Sequence, residues 1–130
     1  MIEVVCAVIK DRQGRYLACL RPMEKYLGGF WEFPGGKVEF GETPQTVLTR
    51  EIFEELNVCV SVGTPLKPSI WNDSNYSIHL QPFFCEIISG ELQLLVHAEL
   101  RWCFPEDLNE LSWADADIPI LCEITKNGRE

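Results

Sequence analysis

With 130 residues, 46 % of them hydrophobic, the chain has enough apolar material for one core, so residues 1–130 are expected to form a single domain. The formal net charge of -9 argues against a protein that grips nucleic acid polymers by their phosphates, because that affinity comes from lysine and arginine displacing counterions. No apolar run approaches a bilayer span, and MIEVVCAVIK opens with an acidic residue where a signal peptide carries positive charge, so a soluble, cytoplasmic protein without a membrane partner is expected. The cysteines at 6, 19, 59, 85, 103 and 122 include no C-x-x-C pair and five lie in apolar runs; they read as reduced core residues.

Residues 4–9 and 16–20 have the pattern of two strands, and DRQGR between them, with Gly14 for the turn, predicts an opening hairpin. PMEKYLGGFWEFPGGKVEFGE then brings five glycines and two prolines, predicting a long loop broken by a short strand at 31–33, the kind of segment that carries function. Thr43-Pro44 is an N-cap followed by proline at the first helical position, and the helix should run to about residue 56, with Asn57 as its left-handed stop. Strands are expected at 58–62, 79–87 and 100–103. Pro105 and ADADIP each mark a helix start, the second leading to a helix with Ile120, Leu121 and Ile124 on its apolar face. Strands mixed with few helices indicate a layered α/β or α+β domain.

The first helix contains REIFEEL, residues 50–56. At about 100° per residue from Arg50, Leu48, Ile52, Leu56 and Phe53 fall between about 160° and 300°. Arg50, Glu51, Glu54 and Glu55 fall between about 0° and 140°, with Val47 the one misplaced apolar residue. Like charges at this spacing cost roughly a few tenths of a kcal/mol per pair, and Arg50 offsets only part of that. A solvated acidic face accounts for such a cluster; so does a site that uses a divalent cation to bridge carboxylates to a phosphate.

The residues upstream decide between the two. GGKVEFGETPQTVLTREIFEELNV, residues 35–58, resembles the Nudix box, with Gly36, Glu42, Arg50, Glu51, Ile52, Glu54, Glu55 and Val58 at the required spacings. Asn57 stands where the family has glycine, a mild change because asparagine is the next-best residue at a left-handed helix stop. The likeness extends over most of the chain and is strongest to the MutT-like branch of nucleoside triphosphate pyrophosphohydrolases. It rests there on WEFPGGKVE, Arg21, Arg101-Trp102-Cys103, and ADADIPIL, which resembles the matching stretch of bacterial CTP pyrophosphohydrolases. The resemblance implies an α+β fold, an α/β/α sandwich with a mixed sheet between helices, whose box forms a loop, helix and loop holding Mg2+ or Mn2+.

Hydrolysis of a pyrophosphate link needs water to attack a phosphorus shielded by negative oxygens, so metal ions must screen charge and activate water, and carboxylates are their natural ligands. By resemblance, Glu54 and Glu55 would ligate metal, Glu51 would ligate it or act as general base, and the Gly35 carbonyl would complete the site. Glu42 and Arg50 would hold the surrounding shell, Arg50 orienting Glu51, while Gly35-Gly36 lets the backbone approach closely. Arg21 is a candidate for the substrate phosphates, or an exposed strand-end arginine. Glu32 would support the site or make a surface salt bridge. Asp117 falls where this branch has a polar base reader, and it also sits where a helix N-cap would. Trp31, Trp71, Tyr76 and Phe83 are aromatic enough to stack on a base, although an aromatic in a domain of this size is more often core. The branch commonly carries a further glutamate before the tryptophan strand; here that position is Val96, with Glu99 or His97 as possible substitutes.

The expected activity is Mg2+-dependent hydrolysis of a nucleoside triphosphate, CTP or an oxidised nucleotide, to monophosphate and pyrophosphate. The alternatives are hydrolysis of another nucleoside diphosphate derivative, or a catalytically silent nucleotide-binding module, which Val96 would favour. A metal-buffering protein has no EF-hand loop to support it.

Overall fold

The protein is described by a computed structural model covering residues 1–72 and 74–127. Strand β1 (Ile2–Ile9) is flanked by β4 (Gly35–Lys37), antiparallel to it, and by β7 (Ser77–Gly90), parallel to it. On its other side β7 pairs antiparallel with β5 (Val58–Pro65) and β6 (Ser69–Asn72), giving a mixed five-stranded sheet. A second, antiparallel sheet has the order β3 (Trp31–Glu32), β2 (Tyr16–Leu20), β8 (Glu99–Cys103). Helices α1 (Pro44–Leu56) and α2 (Ile118–Asn127) complete the α+β sandwich, with 3-10 turns at Pro105–Glu110 and Asp115–Asp117.

Strand alternation explains how the two helices are held on opposite sides. Val5, Ala7 and Ile9 of β1 and Leu17 and Cys19 of β2 pack with Val47, Leu48, Ile52 and Leu56 of α1. Cys6 and Val8, with Tyr16 and Ala18, face the other way onto Leu108, Trp113, Ile120, Leu121 and Ile124. Because both faces of β1 are covered, its residues from Val5 to Ile9 are all buried, as a central strand requires.

The boundaries of α1 follow from its sequence. Thr43 Oγ1 accepts from the Thr46 N–H at 3.2 Å, Pro44 opens the helix, and Asn57 closes it at φ 63°, its N–H donating to the Phe53 carbonyl. The phase differs from the simple wheel. Val47 is fully buried, whereas Phe53 is 52 % exposed, because the buried stripe is centred nearer Leu48 and Ile52 than the apolar side chains alone indicate.

Other expectations are corrected. β1 and β2 do not form a hairpin ladder: one bridge, Lys10 to Tyr16, joins them, and each strand then enters a different sheet. Asp11 makes this corner by accepting from the N–H groups of Gln13 and Arg15 at 2.9 and 2.8 Å, with Gly14 at φ 83°. Residues 35–37, expected in a loop, form β4, and β6 had no expected counterpart. β5 and β7 run beyond the predicted 58–62 and 79–87, and Pro105 opens a 3-10 turn. Cys122 is exposed and Cys59 half-buried; Cys6, Cys19, Cys85 and Cys103 are buried, and all six thiols are free.

The Ile52→Ala substitution should cost about 3 kcal/mol through the cavity it leaves, and Phe53→Ala less than about 1 kcal/mol. Urea denaturation of both variants checks the helix phase; a larger loss from Phe53→Ala would contradict it.

Candidate active site

Between α1, β4 and the segment preceding α2 lies a cavity of about 660 Å³. Its acidic wall comes from α1. Docking Leu48, Ile52 and Leu56 on β1 turns Glu51 and Glu55 toward the sheet and leaves Glu54 further out; their side chains are 27 %, 13 % and 54 % exposed. β4 lies close enough that side chains at its glycines would not fit. A Cβ on Gly36 would stand 2.6 Å from the Glu51 carboxyl carbon, and one on Gly35 would overlap the Val5 carbonyl. The G-G pair is therefore a strand edge on which a carboxylate rests.

Arg50 makes its short contact outside the cavity, donating to Glu42 Oε2 at 2.6 Å, while Glu51 and Glu54 stand 3.8 and 3.7 Å from its guanidinium. Glu42 Oε1 also accepts from the Glu39 N–H, and Arg50 in particular holds the Glu42 carboxyl below the usual range. The expected Arg50 contact to Glu51 is thus the longer one, and the Glu42 pair anchors the guanidinium.

Arg21 does not stand free. Its Nε donates to the Tyr26 carbonyl at 2.7 Å and its Nη1 to Glu32 Oε1 at 2.9 Å, tying loop 22–30 to β3. Glu32 Oε2 in turn lies 2.9 Å from His97 Nε2, and the same nitrogen is 3.9 Å from Glu55 Oε1. Glu32 therefore belongs to the cavity wall, where it links Arg21 to the loop between β7 and β8.

Asp117 is also in the wall, and it does not cap α2. Its Oδ2 accepts from the Phe33 N–H at 2.7 Å, across the cavity floor. Tyr76 lines the cavity, whereas Trp31 and Phe83 are core residues and Trp71 lies elsewhere on the surface. Glu99 is not brought in: it pairs with Arg101 at 2.9 Å on β8, which points its carboxylate along its own strand. His97 is brought in, and Val96 lines the rim at 46 % exposed. Sequence reading missed Lys37, which the box could have flagged, and Tyr26 and Leu27, for which a Gly-rich loop gives no signal.

The electrostatics are those of crowded carboxylates. Burial, then the negative charges of Glu32 and Glu51, push the Glu55 carboxyl up to about 8, with a hydrogen bond to Glu51 adding to this. Burial likewise raises Asp117 to about 7, against the opposing Phe33 hydrogen bond. Cys6, in the same wall, is buried and its thiol is raised well above the ordinary value, so it is no nucleophile.

A family profile described as NUDIX domain matches residues 5–123. The chain belongs to the Nudix hydrolases. It is 40 % identical over 121 residues to the CTP pyrophosphohydrolase of Escherichia coli K12, covering 93 % of this chain and 89 % of that one. It is 30 % identical over 130 residues to the 8-oxo-dGTP diphosphatase of the same organism, covering 96 % and 97 %. The solution structure of the E. coli ORF135 protein superposes with a TM-score of 0.84 at 38 % identity, over 97 % of this chain and 89 % of that one.

Nudix hydrolases generally use divalent metal ions, and the Nudix helix here has a donor set of the right chemistry: hard carboxylate oxygens from Glu51, Glu54 and Glu55. Among the described residues no three such side chains yet stand gathered as an ion's shell. Burial first, and then the negative charges of Glu32 and Glu51, raise the Glu55 carboxyl, and a cation beside it would favour its charged form.

The Asp117 shift fixes the sign of a pH effect. Its folded value lies above the ordinary 3.8, so between there and about 7 the folded chain keeps a proton that the unfolded chain has lost. Stability from this group is complete at the acid end and lost as pH rises through about 7, by on the order of a few kcal/mol. Asp117→Asn retains an acceptor for the Phe33 N–H and should flatten that part of the stability profile, measured by urea unfolding across the range; an unchanged profile would mean Asp117 does not hold the proton.

Proposed function

We propose that this Nudix hydrolase cleaves a nucleoside triphosphate to the monophosphate and pyrophosphate, using Mg2+ or Mn2+, with CTP or an oxidised purine nucleotide as substrate. The observation that carries the reading is the meeting of Glu51, Glu54 and Glu55 with Asp117 around one cavity large enough for a nucleotide. The named activities of the two E. coli relatives support CTP and 8-oxo-dGTP as the first substrates to test.

Glu51, Glu54, Glu55 and the Gly35 carbonyl would hold the metal, which screens phosphate charge and polarises the attacked phosphoryl group. Glu51, resting on Gly36, is the ligand or the group that takes a proton from the attacking water. Arg50, anchored on Glu42, keeps positive charge beside Glu51 and Glu54 and restrains both. Arg21 spends two donors on the protein and keeps Nη2 for a phosphate oxygen. Asp117, with Oδ2 fixed by Phe33, has Oδ1 to accept from an exocyclic amino group of cytosine or a purine.

One Nudix domain would account for the whole chain, acting in the cytoplasm on free nucleotides; no helix among the described residues is long and apolar enough to cross a membrane. An oxidised substrate would make it a sanitiser of the nucleotide pool. The second reading, nucleotide binding without turnover, is favoured by Val96 alone.

Incubation with Mg2+ and a panel of normal and oxidised nucleoside triphosphates, with products resolved by chromatography, should yield monophosphate and pyrophosphate. Glu54→Gln and Glu55→Gln should lose most turnover while staying folded, Glu55→Gln because a neutral amide resembles the protonated carboxyl that its burial favours. Near-native rates in both would reject this metal site, and binding without products would support the silent module.

A further inference from the structure

Loop 91–98 connects β7 to β8 and crosses the rim of the cavity with Leu94, Leu95 and Val96 exposed. His97 is the exception: its side chain is 2 % exposed and enters the wall between β3 and α1. The loop is pinned close to both ends. Asn57 Nδ2 donates to the Glu91 carbonyl at 3.2 Å and the Gln93 N–H to the Leu56 carbonyl at 3.0 Å, so the loop closes the C-terminus of α1. At the far end the Ala98 N–H donates to the Leu20 carbonyl at 2.9 Å. The two departures from the family pattern noted above, Asn57 at the end of α1 and the Val96-His97 position in loop 91–98, therefore meet through this loop.

What the buried imidazole does follows from its two nitrogens. Nε2 lies 2.9 Å from Glu32 Oε2 and 3.9 Å from Glu55 Oε1. The second oxygen of Glu32 holds Arg21. Nδ1 is buried without a partner. An unpartnered buried nitrogen costs about 1–3 kcal/mol, so an apolar side chain would serve packing better. The contact made by Nε2 is what this placement gains.

We infer that His97 is a positioning residue, held by the loop that Asn57 ties to α1, and that its Nε2 sets the separation of Glu32 and Glu55 and so couples Arg21 to the metal-bearing carboxylates. The inference rests on the reaction proposed above. With Nε2 2.9 Å from Glu32 and 3.9 Å from Glu55, the ring stands between the two carboxyl groups and holds their spacing. Without it Glu32 would follow Arg21 toward loop 22–30, and Glu55 would keep only its like-charged neighbours on α1. The role is exercised through Glu32 and Glu55.

The test compares His97→Gln, which retains an N–H near the reach of Nε2, with His97→Asn, which retains one near Nδ1 only, and with His97→Ala. Two readouts are taken: kcat and KM on whichever nucleotide the wild type hydrolyses, and Mn2+ affinity by titration calorimetry without nucleotide. His97→Ala and His97→Asn should lose at least about tenfold in kcat and in Mn2+ affinity, with KM moving less, and His97→Gln should recover most of both. Asn57→Gly should move both readouts in the same direction by less, and combined with His97→Ala should add little. Equal behaviour of the Gln and Asn variants, unchanged values in His97→Ala, or fully additive effects with Asn57→Gly would overturn the inference. A wild type that hydrolyses no nucleotide would defeat the proposed reaction, and the Mn2+ titration would still decide the role of His97.

Discussion

Leu48, Ile52 and Leu56 must be covered for α1 to dock, and covering them fixes the rotation at which its carboxylates meet the sheet. Every distance in the site descends from that rotation. Glu55 is carried inward to His97, Glu51 onto Gly36, and Glu54 outward to the flank of Arg50. The strand edge opposite is bare where they meet: a methyl group at Gly36 would displace the Glu51 carboxyl from its resting place, and one at Gly35 would strike the Val5 carbonyl. Apolar packing and the box carboxylates thus share one helix, the box residues interleaved between the core residues.

The charge in the cavity is a cost that packing overcomes. Glu32, Glu51, Glu54, Glu55 and Asp117 line it, against Arg21 and Lys37. Two of the five carboxyls are pushed toward neutrality, to about 8 at Glu55 and about 7 at Asp117, so the fold bears the burial of groups that would be ionised in water. Such a cavity repels a bare triphosphate. Under the proposed reaction it would accept one accompanied by divalent cations, and affinity for substrate and for metal would then be mutually dependent.

The sequence was readable where the determinants are local. Thr43-Pro44, the REIFEEL spacing and Asn57 specify α1 within a few residues of themselves, and the box carries the family. The misreadings have long-range causes. Whether 35–37 is loop or strand depends on β1, thirty residues earlier, and β1 and β2 separate because each finds partners far along the chain in β7 and β8. Phe53 and Val47 exchanged roles because the apolar residues of α1 indicate a face, while β1 and β2 decide its centre. In one dimension Glu99 was the better candidate and His97 the poorer; strand alternation and the Ala98 tie to Leu20 turn the first away and the second in.

The parallel pairing of β1 with β7 has a consequence for how the chain acquires its shape. Ile2 to Ile9 lie beside Ile78 to Cys85, so the central ladder is closed by two segments more than seventy residues apart. During synthesis α1 emerges long before the strand that completes the sheet beneath it, and a helix of 13 residues is marginal alone. The acidic face and the apolar stripe of α1 must then wait together, unsupported, until β7 arrives. A strand far along the chain is what turns the cluster of glutamates into one wall of a cavity, so the site is a product of non-local pairing.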